Sequence, residues 1–154
     1  MQGDQEVIDH LNQILKNELT AINQYFLHAK LAQNWGMKKL GGHMQHESID
    51  EMKHADELME RILFLEGAPN VTGLDRLHIG KDVPEMLKND LGLEHKAIPD
   101  LRVAIACCEK KANFGSRDLL QKILVSEEEH VDWLEDQLEL IDRAGLQNYV
   151  QTMI

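Results

Sequence analysis

Cysteine is nearly absent from this chain. The two that occur, Cys107 and Cys108, are adjacent, so a bond between them would distort the intervening peptide and a disulfide scaffold is excluded. They read as reduced thiols. Aromatic residues make up 5% of the chain and β-branched runs are few, which disfavours a β-architecture. No apolar run approaches the roughly 18 residues of a membrane span, and no signal-peptide core is visible. Gly3 stands one place too late for myristoylation. A soluble, cytoplasmic protein without membrane attachment is expected. Basic residues are outnumbered, 16 Lys and Arg against 27 Asp and Glu, for a formal net charge of -11. Phosphate binding needs a concentrated basic face, so nucleic acid is excluded as a main partner.

Leu, Ala, Glu, Lys, Gln and Met dominate instead, and they favour helix. Length and a 43% hydrophobic content predict one all-α domain over 1–154. Leu11, Ile14, Leu15, Ile22, Tyr25 and Ala29 recur at helical spacing, as do Met44, Leu58, Ile62 and Leu65. Leu87, Leu91, Ile98, Leu101 and Ile105 form a third stripe; Leu120, Ile123, Leu134, Leu138 and Ile141 form a fourth. The expected helices cover about 4–35, 43–66, 83–111 and 115–144, with a short fifth over 146–153. Asp82-Val83-Pro84-Glu85 has the composition of a helix start, and Pro99 is expected to kink the third helix or be absorbed locally. Gly67 to Asp82 lacks a period and reads as a long surface connection. Extended, some 16 residues span roughly 50 Å, more than the about 42 Å of a 28-residue helix. The connection can therefore cross the whole bundle and make helices two and three parallel, while short turns make one and two, and three and four, antiparallel.

Two Glu-x-x-His motifs lie inside these stripes, Glu51-Met52-Lys53-His54 and Glu127-Glu128-Glu129-His130, and Glu18 and Glu94 each stand 33 residues upstream of a motif glutamate. A shift of 76 positions superposes Glu18 on Glu94, Glu51 on Glu127 and His54 on His130, and equally Leu11 on Leu87, Leu15 on Leu91, Ile22 on Ile98 and Leu58 on Leu134. Core and chemistry share one internal repeat, which implies a pseudo-twofold bundle with the site near its axis. Carboxylates on apolar stripes are costly unless neutralised. Two divalent cations balance four carboxylates, and two neutral imidazoles complete the donor set. One Glu-x-x-His alone is usually solvated surface; two copies with matched upstream glutamates point to a two-metal site.

The segments Asn17–Lys30, His46–Asp56, Glu60–Gly67 and Gly145–Tyr149 resemble bacterioferritin along nearly the whole chain. The paired-glutamate and Glu-x-x-His arrangement is the known one of ferritin-like di-iron and di-manganese proteins. The resemblance implies a ferritin-like four-helix bundle with a long crossover, and a ferroxidase centre whose ligands are Glu18, Glu51, His54, Glu94, Glu127 and His130. Glu51 and Glu127 would bridge. It implies Fe²⁺ oxidation by O₂ or peroxide and storage of a ferric mineral in a hollow homo-oligomer of about 24 subunits built from dimers. A second bacterioferritin subunit type and a small ferredoxin-type reductant are further implied partners.

Met52 lies about 100° round the helix from Glu51. A packing methionine is the plain reading; the resemblance makes it the axial ligand of a b-type haem at the dimer interface, among Leu19, Ile22, Asn23, Phe26 and Ile49. The family often has Tyr where this chain has Gln45 and Leu58. Tyr25 and Trp133 are expected beside the centre as electron-donating or packing groups. The resemblance implies iron handling on the inner shell surface for His46 and Asp50; Asn34, Glu66, Asp132 and Asp136 read either as the lining of one pore between subunits, with Asn148 and Gln151 lining another, or equally as a solvated face. His10, His28, His43, His78 and His95 fit no ligand spacing and read as surface residues. Two competing readings are a di-iron or di-manganese oxidoreductase acting on peroxide or an organic substrate, and a haem-binding or shell-building subunit with an inert centre.

Overall fold

A computed structural model describes residues 1–154, and all its regular structure is helical: α1 Gln5–Asn34, α2 Lys38–Phe64, α3 Val83–Lys110, α4 Phe114–Ala144 and α5 Leu146–Thr152. Local chemistry sets several of the ends. The Asp4 carboxylate accepts from the Glu6 amide at 2.8 Å, Asp82 from Glu85 at 2.9 Å, and the Asn113 side chain from Ser116 at 3.3 Å, each satisfying a first-turn N–H that has no partner within its helix. Gly36 closes α1 at φ +90, a backbone conformation that a side chain resists.

α2 begins at Lys38, ahead of the expected 43, because Gly41 and Gly42 lie within it. Gly41 is a contact residue: a Cβ there would stand 2.4 Å from Gln33 Cγ and 2.8 Å from the Ala29 carbonyl oxygen of α1. α3 runs unbroken through Pro99, which is exposed.

The apolar stripes close into two clusters rather than one. The first gathers Leu11, Leu15, Leu58, Ile62, Leu101, Leu120 and Ile123 from all four long helices; the second gathers Ala29, Leu40, Met44, Met86, Leu87 and Leu134 toward the opposite end. Each fully buried leucine contributes about 1.5–3 kcal/mol. Tyr149 seals the second cluster from α5, donating its hydroxyl to Gln137 Oε1 at 2.9 Å. This contact, with Lys39 N–H donating to the Met153 carbonyl at 2.9 Å, holds a seven-residue helix too short to persist alone.

The crossover between α2 and α3 is not a free surface loop. Asn12 Oδ1 accepts from the Asn70 amide, Thr20 Oγ1 from Asp75, Gln24 Oε1 from His78 and His28 Nε2 from Gly80, all at 2.8 to 3.0 Å. These acceptors, with Lys16 paired to Asp75 at 3.2 Å, form one i, i+4 row of α1. Such rows run at a shallow incline to the helix axis. The crossover therefore travels with α1, from the end where α2 finishes to the end where α2 begins, and delivers α3 parallel to α2.

Candidate metal centre

Polar residues fill the space between the two apolar clusters. Glu18, Glu94 and Glu127 are 1% exposed, Glu51 2%, His130 4% and His54 8%. One ligand atom from each of Glu18, Glu51, His54 and Glu127 lies within 4.8 Å of the others, and so does one from each of Glu51, Glu94, Glu127 and His130. Glu51 and Glu127 belong to both groups. Two four-donor sets sharing two carboxylates is the geometry that two bridged cations require.

His54 Nδ1 stands 3.3 Å from Glu127, 3.4 Å from Glu18 and 3.5 Å from Glu51. Glu18 Oε2, Glu94 Oε2, Glu127 Oε1 and His54 Nδ1 are all buried with no hydrogen-bond partner. Folded proteins rarely leave such atoms unsatisfied, and of the six in the chain these four belong to the candidate ligands, the other two being His43 Nε2 and Arg117 Nε. The donor set of carboxylate oxygens and imidazole nitrogens fits iron or manganese.

The electrostatics fit a site where protons and cations compete. Burial pushes the Glu18 carboxyl up, with His54 nearby opposing the shift. Burial and then the Glu127 charge raise Glu94 well above its ordinary range, and burial followed by Glu18 raises Glu127. Burial opposes charge on His54, yet Glu127 and Glu18 overcome it and hold the imidazole up at about 10. His130 is likewise raised, burial opposing and Glu94 at 3.1 Å prevailing.

The repeat is not symmetric around the two sets. Tyr25 donates its hydroxyl to Glu94 Oε1 and meets the His130 ring edge-on, centroids 5.0 Å apart, whereas its repeat counterpart is Leu101. Trp133 stacks on His43 at 3.7 Å and lies 6.3 Å from His130. Sequence reading missed Glu47, whose Oε2 lies 3.9 Å from His130 Nδ1 and whose other oxygen pairs with His43 at 3.2 Å. Burial works against the Glu47 charge, but His43 and His130 hold its carboxyl low. Its place one turn before Glu51 was the available signal.

The expectation of five surface histidines is corrected. His28 is fully buried, its Nδ1 2.8 Å from Asp90 Oδ1 and its Nε2 on the Gly80 amide. It takes part in the crossover attachment, which no ligand spacing could reveal. His10 and His43 are half-buried, and His78 and His95 are exposed. His46 is exposed and pairs with Asp50 at 3.5 Å. Asn34, Glu66, Asp132, Asp136, Asn148 and Gln151 are all exposed.

Met52 is 43% exposed and edges an open groove with Ile22, Asn23, Phe26, Leu27, Lys30 and Leu77. Leu19 and Ile49, expected beside it, do not line this groove; Leu27 and Lys30 from α1 and Leu77 from the crossover do. Gln45 accepts from Gln33 at 3.2 Å, and Leu58 is fully buried in the first apolar cluster. No helix is long and apolar enough to cross a membrane.

Comparison with known proteins agrees in extent with this fold. The family described as "Ferritin-like domain" matches residues 8–144. A "Bacterial ferritin" of Synechocystis sp. is 47% identical over 155 residues, covering 100% of this chain and 99% of its own. A "Bacterioferritin" of Mycobacterium bovis is 47% identical over 149 residues, covering 97% and 94%. A "Bacterial ferritin" of Pseudomonas aeruginosa is 48% identical over 155 residues with full coverage of both.

Proposed function

This chain belongs to the ferritin family, and on that premise we propose that it oxidises Fe²⁺ at the buried centre and stores the ferric product. Glu18, Glu51, His54, Glu94, Glu127 and His130 are the ligands, with Glu51 and Glu127 shared between two iron sites. The observation that carries this reading is the pair of overlapping four-donor sets with four unsatisfied buried atoms.

Fe²⁺ is the substrate. Arriving ions displace the proton that His54 otherwise holds up to about pH 10, and the protons on the raised carboxyls of Glu94 and Glu127. Four carboxylates then neutralise two Fe²⁺. Each ion loses one electron to O₂ or peroxide, so the site charge rises to about +2. A buried site disfavours that excess, which drives ferric iron out and readies the ligands for the next pair. Tyr25 orients Glu94 through its hydroxyl, and Glu47 beside His130 offers a carboxylate to ions leaving or reaching that side.

The chain acts as a homo-oligomeric cytoplasmic shell of about 24 subunits assembled from dimers. The Met52 groove fits half of a b-type haem: apolar walls, a thioether donor and a cation at Lys30. A second copy would supply the other thioether, and the haem when bound would relay electrons for iron release.

The test adds Fe²⁺ in air to purified protein while ferric absorbance and particle size are followed. Oxidation faster than in protein-free buffer, ending in a particle-bound ferric core, is expected. A rate equal to buffer, or one unchanged by Glu18→Ala, overturns the reading.

A further inference from the structure

At the far end of the bundle from α5, Glu6 and His10 of α1 and Cys107 of α3 bring one carboxylate oxygen, one imidazole nitrogen and the thiol sulfur within 4.8 Å of one another. None of these residues belongs to the iron centre. Glu6 and His10 are separated by one helical turn and so share a face. His10 and Cys107 are half-buried, and the Cys107 thiol is free. Glu6 is exposed and lies 3.5 Å from Lys111 Nζ.

The internal repeat makes the grouping more telling. Under the 76-position shift, Glu6 and His10 correspond to Asp82 and Met86, and Cys107 to Leu31. The other half of the bundle therefore has no equivalent, and the three donors are not a by-product of duplication.

The geometry points to a second metal site, for a borderline divalent cation of the Zn²⁺ or Co²⁺ class, held by Cys107, His10 and Glu6. Thiolate, imidazole and carboxylate together select such ions over harder ones. With bonds of about 2.0–2.3 Å, tetrahedral ligands lie about 3.3–3.8 Å apart, which the exposed, flexible Glu6 side chain can reach from its present position by leaving Lys111. The fourth position faces solvent and would carry water. Burial and the charges of Glu6 and Asp4 keep the Cys107 thiol protonated. A cation reverses that preference: the sulfur binds as thiolate, its proton leaves to solvent, and no oxidation state changes. The bound ion would tie the first turns of α1 to the last turn of α3.

Co²⁺ added to the assembled, iron-stripped protein tests this, because the iron centre has no sulfur and only a cysteine site gives thiolate-to-cobalt charge-transfer absorption. The band is expected in the unaltered protein, in Cys108→Ser and in Glu18→Ala, and is expected to disappear in Cys107→Ser and His10→Ala. Zn²⁺ should abolish the band and slow alkylation of Cys107 in the unaltered protein by about tenfold or more. That second measurement needs no variant to fold. Absence of the band, its survival in Cys107→Ser, or alkylation indifferent to Zn²⁺ overturns the proposal. Fe²⁺ oxidation by Cys107→Ser should match that of the unaltered protein; a loss would place Cys107 in the iron chemistry and overturn the assignment of a separate site.

Discussion

The Tyr25 hydroxyl of α1 donates to Glu94 Oε1 of α3 across the middle of the bundle. The same carboxylate oxygen lies 3.1 Å from His130 Nδ1. One phenol thus steadies a carboxylate and, through it, an imidazole. Tyr25→Phe keeps the ring packing against His130 and removes only the donor. Loss of about 1–2 kcal/mol of stability is expected, with metal affinity at the His130 side reduced about tenfold. Anaerobic Fe²⁺ titration measures the second effect, and unchanged affinity would deny Tyr25 any positioning role.

Stability should depend on pH in opposite senses with and without metal. His54, His130, Glu18, Glu94 and Glu127 all have raised values, so the folded iron-stripped chain binds more protons than the unfolded one. For His54 this contribution is complete below the ordinary histidine range and fades as pH rises through about 10. The raised carboxyls lose theirs in the same direction. Metal binding expels these protons, so affinity rises with pH. The gap in Tm between metal-loaded and stripped protein should widen from pH 6 to pH 9, as thermal melts can measure. A constant gap would show that cations do not replace protons there.

His28→Phe should strip the Gly80 amide and the Asp90 carboxylate of a buried partner together. A loss of about 2–4 kcal/mol is expected, with amide exchange at Gly80 and His78 accelerated before that of α4. Uniform acceleration across all helices would argue against a local attachment.

Two glycines should respond with opposite sign. A Cβ on Gly80 would stand 2.3 Å from Met86 N and 2.6 Å from its Cα, backbone atoms that cannot swing away, so Gly80→Ala should cost about 1–3 kcal/mol. Gly42 has nothing within 4 Å of its Cβ position and lies inside α2. Gly42→Ala should therefore stabilise by about 0.5–1 kcal/mol. Denaturant melts of the pair decide, and equal signs would contradict the packing described.

Met52→Leu keeps an apolar side chain at the groove and removes the thioether. Haem added to this variant should lack the reduced spectrum of bis-methionine ligation. A spectrum identical to the unaltered protein's would remove Met52 from the haem site.

The helical class and the ferritin-like architecture were legible because stripes such as Leu11, Leu15 and Ile22 recur at one period and then repeat 76 positions on. The six residues with ligand chemistry were legible as polar interruptions of those stripes, and the structure brings them together. What escaped were relations that no period records. Gly41 reads as a breaker unless the closeness of α1 is known. His28 reads as surface because its partners, Asp90 and Gly80, come from another helix and from an aperiodic segment. Glu47 reads as one more solvated acid until His130 is seen beside it.

The row of acceptors on α1 gives the crossover a measured length. Connections of this kind ordinarily absorb insertions, since lengthening a flexible loop costs little. Here an added residue between Asn70 and Asp75 would slip every later amide past Thr20, Gln24 and His28. Its effect would accumulate toward Val83, where α3 starts. The helix acts as a ruler for a segment with no secondary structure of its own, and the depth at which α3 enters the bundle, hence the height at which Glu94 faces Glu127, is read off that ruler. Natural or engineered length changes should therefore be rejected between Asn70 and Gly80, the stretch whose amides α1 holds.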